Sequence, residues 1–266
     1  MLEQTTVTTS PPDRLRVLLI TEDDPIYVRE FFDVFLPRFD RSRIEVVAVV
    51  VSRAFHEPLI RTARRVIRFF GPLDFLRLLP RYVFAKVFRH DIGSIARRHG
   101  LTVLRPDSVN SAAFLTEVGD MKLDMIVSVA APEIFKSALL SVPSVGCLNI
   151  HSGELPAYRG MMPTFWQMLE GRDHVTVTIH EMVPTLDAGG IISAITFPLL
   201  TCDSLDRVIR GTKRAGAEKM LDVISSIADS RRMPEVHPLD MSKARLFKFP
   251  QPADVSRFRG RGHRMI

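Results

Sequence analysis

From Arg16 to Ile150 short runs of aliphatic and β-branched residues alternate with stretches of helical periodicity, and this alternation limits the fold more than any other feature. "RVLLIT" (Arg16–Thr21), "IEVVAVVVS" (Ile44–Ser52), "LTVLRP", "LDMIVSVA" (Leu123–Ala130) and "VGCLNIH" (Val145–His151) read as strands. "IYVREFFDVFLPRF" (Ile26–Phe39), "DIGSIARRHG" (Asp91–Gly100) and "APEIFKSALL" (Ala131–Leu140, Pro132 in its first turn) read as helices. Strands that are apolar throughout have both faces buried, so the expected class is α/β: a Rossmann-like, mostly parallel sheet with helices on both faces. Ligands of such sheets bind beyond the carboxyl ends of the strands. Asn149 and His151 stand at such an end.

Beyond them, "PTFWQMLEG" predicts a helix, "HVTVTIHEM" and "GGIISAITFPL" two strands, and "SLDRVIRGTKRAGAEKMLDVISSI" a long helix. The two strands follow one another without a helical crossover and are expected to pair antiparallel. Met233 to Ile266 is rich in Pro, Arg and Phe without clear periodicity, and reads as an extended tail or a cover. Its end, "VSRFRGRGHRMI", reads most simply as a solvated basic terminus, with nucleotide-phosphate contact the lesser reading. The expected division is a flexible segment 1–15, a single domain 16–230 and a C-terminal extension 231–266.

With 266 residues, 46% of them hydrophobic, the chain can bury a full core. No apolar run approaches the roughly 20 residues of a membrane helix. The first fifteen residues lack a basic region followed by an apolar one, so they do not read as a secretory signal. Two cysteines, Cys147 and Cys202, make no disulfide framework, and the cytoplasm is the expected compartment. A net charge of +6 suits a phosphorylated or nucleotide-bearing partner, though many soluble proteins share it. A homodimer is compatible with all of this.

Strand residues two apart share a face, so Asn149 and His151 project together while Ile150 points away. Thirty-six positions after His151 comes Asp187, in a turn between two strands. Together these three can serve acyl transfer. The imidazole moves protons near neutral pH, the amide donates to a developing oxyanion, and the carboxylate orients and charge-tunes the ring. None is a good nucleophile here, which favours direct attack by an external amine. Bland readings stand beside these: a histidine at a strand end is usually structural, and an Asp before glycines usually bonds its own turn. His174 and His180 share a strand face but lie six residues apart, too far to chelate a metal unaided, and both read as structural. No metal, nucleophile-elbow or P-loop motif is present.

"NIHSGELPAYRG" followed by "TIHEMVPTLDAGGI" resembles the N10-formyltetrahydrofolate-dependent formyltransferase family, which includes methionyl-tRNA, phosphoribosylglycinamide and sugar N-formyltransferases. The shared pattern is Asn149-x-His151, Leu155-Pro156-x-Tyr158-x-Gly160 and Leu186-Asp187-x-Gly189, and it is clearest from Leu123 to Ile192. The resemblance implies catalytic roles for Asn149, His151 and Asp187, and N10-formyltetrahydrofolate as co-substrate with no metal. It places Ser128, Ala130, Ala131, Pro132, Glu133 and Ile134, with Met182, Val183, Leu186 and Asp187, on two loops that grip the pterin. Tyr158, Arg159 and Gly160 are expected on the acceptor side. The chain departs from the phosphoribosylglycinamide enzyme in following its first strand with "EDDP" instead of a glycine-rich phosphate loop. The 34 residues from Met233 on are too few for the β-barrel that methionyl-tRNA formyltransferase uses for tRNA, so no tRNA partner is expected. The expected acceptor is a small amine, best a nucleotide-linked amino sugar. Another small amine or peptide, hydrolysis of the formyl-folate, and a folate-binding protein without turnover are the alternatives.

Arg53 to Arg89 holds nine Lys or Arg, two acidic residues and many large apolar ones. It reads as a pair of helices packed on the sheet with solvated arginines. Contact with an anionic membrane surface or with a phosphorylated acceptor is the alternative.

Overall fold

The computed structural model describes residues 14–52 and 59–266; segment 1–15 lies almost wholly, and 53–58 wholly, outside them. In chain order the first half comprises β1 (Leu15–Glu22), α1 (Arg29–Arg38), β2 (Ile44–Ser52), α2 (Leu59–Phe70), α3 (Pro72–Val87), α4 (Ile92–Arg98), β3 (Thr102–Leu104), α5 (Ala112–Gly119) and β4 (Met125–Val129). The second comprises α6 (Ser137–Leu140), β5 (Gly146–His151), β6 (Arg159–Gly160), α7 (Pro163–Leu169), β7 (His174–Glu181), β8 (Ile191–Pro198), α8 (Leu205–Ser230), β9 (Leu246–Phe247) and α9 (Pro252–Gly260).

Seven strands form one sheet in the order β3-β2-β1-β4-β5-β7-β8. The first five are parallel, while β7 runs antiparallel to both β5 and β8. The mostly parallel α/β architecture expected from the apolar strands is present, as is the antiparallel pair. Leu15, Val17 and Leu19 face one core layer with α1, α4 and α8; Leu18 and Ile20 face a second with Phe114 and Val118 of α5. Burying each such side chain is worth about 1.5–3 kcal/mol, which is why strict alternation is lost in these strands. Gly216 lets α8 lie on β5: a Cβ there would come within 2.4 Å of Ile150 Cδ1.

Four expectations are corrected. Residues 131–136 are not helical; α6 is a single turn. Side chains take over the backbone bonding there: Asn110 Nδ2 donates to the Ile134 carbonyl and Asn110 Oδ1 accepts from Lys136 N–H. Glu133 in turn accepts from Ser108 Oγ and Val109 N–H. Helix α5 has no counterpart among the expected elements, although Ser111 caps it by accepting from Phe114 N–H. The basic apolar segment does form two helices, but they pack on the C-terminal cover instead of the sheet: Phe69, Phe70 and Leu78 join Phe165, Val255 and Phe258 in a third cluster. The terminus is not a solvated basic end. α9 buries Val255 and Phe258, Met265 is buried, and Arg259 donates to the Phe70 carbonyl at 2.6 Å. Among the described residues no helix is long and apolar enough to cross a membrane.

Candidate active site

Asn149 and His151 leave β5 on the face that also carries Cys147, opposite Leu148 and Ile150. Directly across from Asn149 in the antiparallel register stands His180 of β7. Asn149 Nδ2 donates to His180 Nε2 at 3.0 Å, and His180 Nδ1 donates to the Glu181 carbonyl at 2.8 Å. The carbonyl can only accept, so the network assigns the His180 proton to Nδ1 and leaves Nε2 as acceptor. Burial, and then the neighbouring His151, push His180 down to about 4 against the opposing pull of Asp187. His180 is therefore a neutral acceptor that fixes which way the Asn149 amide faces.

His151, also buried, places Nε2 2.6 Å from the Tyr158 carbonyl, which accepts its proton. Its Nδ1 lies 3.8 Å from Asp187 Oδ1. The turn after it is held from two elements. Ser152 O accepts from Thr164 Oγ1 and Gln167 Nε2 of α7, and Gly153 O accepts from Thr178 Oγ1 of β7 at 2.7 Å. A Cβ on Gly153 would stand 2.7 Å from His151 Nε2 and 2.8 Å from Tyr158 O, so a side chain at this position would wedge that bond apart.

Asp187 is buried with a left-handed backbone (φ 45°), a conformation Asp tolerates. Its Oδ2 accepts from Gly160 N–H at 2.8 Å, while Oδ1 lies 3.8 Å from both His151 Nδ1 and His180 Nε2. Arg159 donates to the Leu186 carbonyl and ties the two loops together. Gly189 presses the returning loop onto β7: a Cβ there would meet the Glu181 carbonyl at 1.9 Å. The "LDAGG" turn thus has a structural reason for its glycines, and it also delivers the carboxylate to the two imidazoles.

The other expected site residues fall as follows. Ser128 is buried and pairs in register with Asn149. Ala130 (φ 54°), Ala131 and Pro132 are partly exposed beyond β4, and Ile134 is exposed. Ala131 and Met182 pack on the same core layer, so the loops after β4 and β7 border one side of the sheet; Val183 is partly exposed and Leu186 exposed. The Tyr158 side chain is buried and its hydroxyl is committed to Glu170 at 2.6 Å. Its backbone carbonyl meets His151 Nε2, and the Gly160 N–H meets Asp187 Oδ2. Cys147 packs behind the site with its thiol pushed up to about 12 by burial. His174 lies outside the cluster, beside Asp173. His180 is the residue that sequence reasoning missed; a register across strands is a long-range fact.

The formyl transferase family matches residues 77–224, more than half of the chain. Methionyl-tRNA formyltransferase of Methylobacillus flagellatus is 34% identical over 151 residues, 57% of this chain and 49% of that protein. The chain thus spans about half the length of the curated relatives it matches. Glycinamide ribonucleotide transformylase 1 of Symbiobacterium toebii shares the fold with a TM-score of 0.60 at 17% identity, over 85% of this chain and 95% of that one. The N-formyltransferase of Helicobacter canadensis, solved with folinic acid and dTDP-3-aminofucose, superposes with a TM-score of 0.52 at 15% identity over 86% and 70%. At such identities the two structures speak for the fold alone. Through its sequence match the chain belongs to the formyl transferase family.

Proposed function

We propose that this chain transfers a formyl group from N10-formyltetrahydrofolate to the amine of a small acceptor, best a nucleotide-linked amino sugar. The observation that carries the reading is the meeting of Asn149, His151 and Asp187 in one cluster of a formyl transferase fold, the last two buried. The acceptor nitrogen attacks the formyl carbon, forming a C–N bond as the carbonyl electron pair moves to oxygen. Asn149 has one N–H on His180 and a second to offer that oxygen; a preorganised donor of this kind is worth about 10²–10³-fold. His151 takes the amine proton at Nδ1, its unprotonated nitrogen, next to Asp187 Oδ1. The oxyanion pair then re-forms the carbonyl, the C–N10 bond breaks, and N10 leaves with the proton that His151 returns. Residues 128–134 and 182–187 are assigned to the pterin, which backbone groups at these loop ends suit.

One feature supports a nucleotide-linked acceptor. A cleft of about 470 Å³ is lined by Trp166, Phe247, Glu170, Arg257 and Arg261, joining aromatic faces to guanidinium groups. The names of the sequence relatives favour a second reading, formylation of an aminoacyl-tRNA. Tetrahydrofolate release, measured with no amine, with amino-sugar nucleotides and with methionyl-tRNA, separates the cases. Release only with the nucleotide sugars is expected. Release without amine sinks the transferase reading, and release with methionyl-tRNA alone sinks the acceptor.

A further inference from the structure

The chain's positive charge is concentrated in one place. Residues 59–89 contain eight Lys or Arg against one Asp, a net +7, while the whole chain carries +6; the remainder is therefore slightly acidic. The same segment, α2 and α3, holds most of the exposed large apolar side chains of the described residues. On α2 the outward face is Ile60, Arg61, Arg64, Ile67 and Arg68, a helical spacing, with Ile60 69% exposed. On α3 only Leu78 and Ala85, seven apart, are buried. Leu73 (73%), Leu76 (60%), Val83, Phe84 and Val87 (66%) face out along the other side, flanked by Arg77, which pairs with Asp74, and Arg81, which pairs with Asp206. Arg61, Arg64 and Arg68 have no carboxylate partner among the described residues. The pair is well anchored beneath: Arg259 bonds the Phe70 carbonyl at the turn, and Phe69 packs against Phe165 and Phe249.

We infer that the α2–α3 hairpin docks this protein on an anionic lipid surface. Both halves of its chemistry fit one occupant: arginines for phosphate headgroups, and aliphatic side chains for the acyl boundary beneath them. A second copy would bring the same unpaired arginines, Arg61, Arg64 and Arg68, against the first, and the two would repel. A nucleic acid would satisfy the arginines but leave Leu73, Leu76, Val83 and Val87 in water, since they offer bases neither stacking planes nor hydrogen bonds. Exposed apolar patches of this extent are uncommon on monomers and usually mark an interaction site. Lys86 bonds Asp23, just past the end of β1, so the docked hairpin stands beside the carboxyl end of the sheet.

The test is flotation of the purified chain with vesicles of phosphatidylcholine alone and of equimolar phosphatidylcholine and phosphatidylglycerol. The protein is expected to float with the anionic vesicles only, and less so as salt shortens the Debye length. Arg61→Gln with Arg64→Gln should weaken partition by roughly 25-fold, about fivefold for each charge near such a surface. Leu76→Glu with Phe84→Glu should abolish it, with the circular dichroism spectrum unchanged. Leu200→Glu, an exposed site elsewhere, should bind as the parent does. The inference is overturned if the parent stays in the soluble fraction with anionic vesicles, or if the double variants bind as well as Leu200→Glu. It is equally overturned if light scattering shows a dimer that Leu76→Glu with Phe84→Glu dissociates, or if those variants lose binding to an oligonucleotide and not to vesicles.

Discussion

The cluster at the end of β5 and the α2–α3 hairpin treat polar groups in opposite ways. At β5, Asn149, His151, His180 and Asp187 are largely withdrawn from water, and each finds a neighbour within the same few residues. On the hairpin, arginines of α2 and large apolar side chains of α3 are both exposed, and the burial that holds the pair lies in Phe69, Phe70 and Leu78. A buried polar group left unpaired costs about 1–3 kcal/mol, so the first region tolerates little change of geometry. The second has little geometry to lose. Its information is in composition, and function there should follow charge and area instead of angles.

The largest expected effect breaks the comparison most directly. His151→Ala should lower kcat by about 10²–10⁴-fold while folate titration calorimetry shows binding nearly unchanged. Leu76→Glu with Phe84→Glu should leave kcat with a soluble acceptor as it was. If the hairpin variant loses as much turnover as His151→Ala, the two regions are not separate.

His180 sharpens the contrast through pH. It titrates at about 4 when folded and at 6.5 otherwise, so between these values the unfolded chain binds the extra proton and acid favours unfolding. The stabilisation is complete above about pH 6.5 and is lost on descent to about 4, a span worth roughly 3 kcal/mol. Urea unfolding of His180→Gln should show a flatter pH slope across that window; an unchanged slope would mean that His180 is not held neutral.

Gly153→Ala is expected to cost about 1–3 kcal/mol, the usual toll of forced volume in a packed site. Because the added methyl meets both ends of the His151–Tyr158 bond, kcat should fall more than KM rises. Steady-state kinetics and thermal melts on one preparation check both. Smallest of all, Leu73→Ser on the exposed side of α3 should shift stability by under about 0.5 kcal/mol, as surface changes generally do. A larger loss of Tm would show that the hairpin is packed against something and would remove the contrast.

Local chemistry is what the sequence could carry unaided. Parity put Asn149 and His151 on one face because strand side chains alternate. The apolar runs forced a sheet covered on both faces, because nothing else buries β4's Met125–Val129 completely. Asp187 before its glycines was visible as a turn, and the resemblance placed it near the histidine. What lay outside the sequence depended on partners far along the chain. His180 joins the cluster through the β5–β7 register, and His151 is held by the Tyr158 carbonyl, which no side-chain pattern encodes. Residues 131–136 escape the helix their spacing suggests because Asn110 answers their backbone groups. The terminus carries a local signal of its own: Pro252 after Gln251, with Asp254 closing a capping box, announces α9. Whether that helix would be solvated or buried was settled only when Phe165 and Phe69 came within reach of it and of the chain beside it. Periodicity sets which face of an element is apolar; only the assembled fold supplies the surface that face will meet.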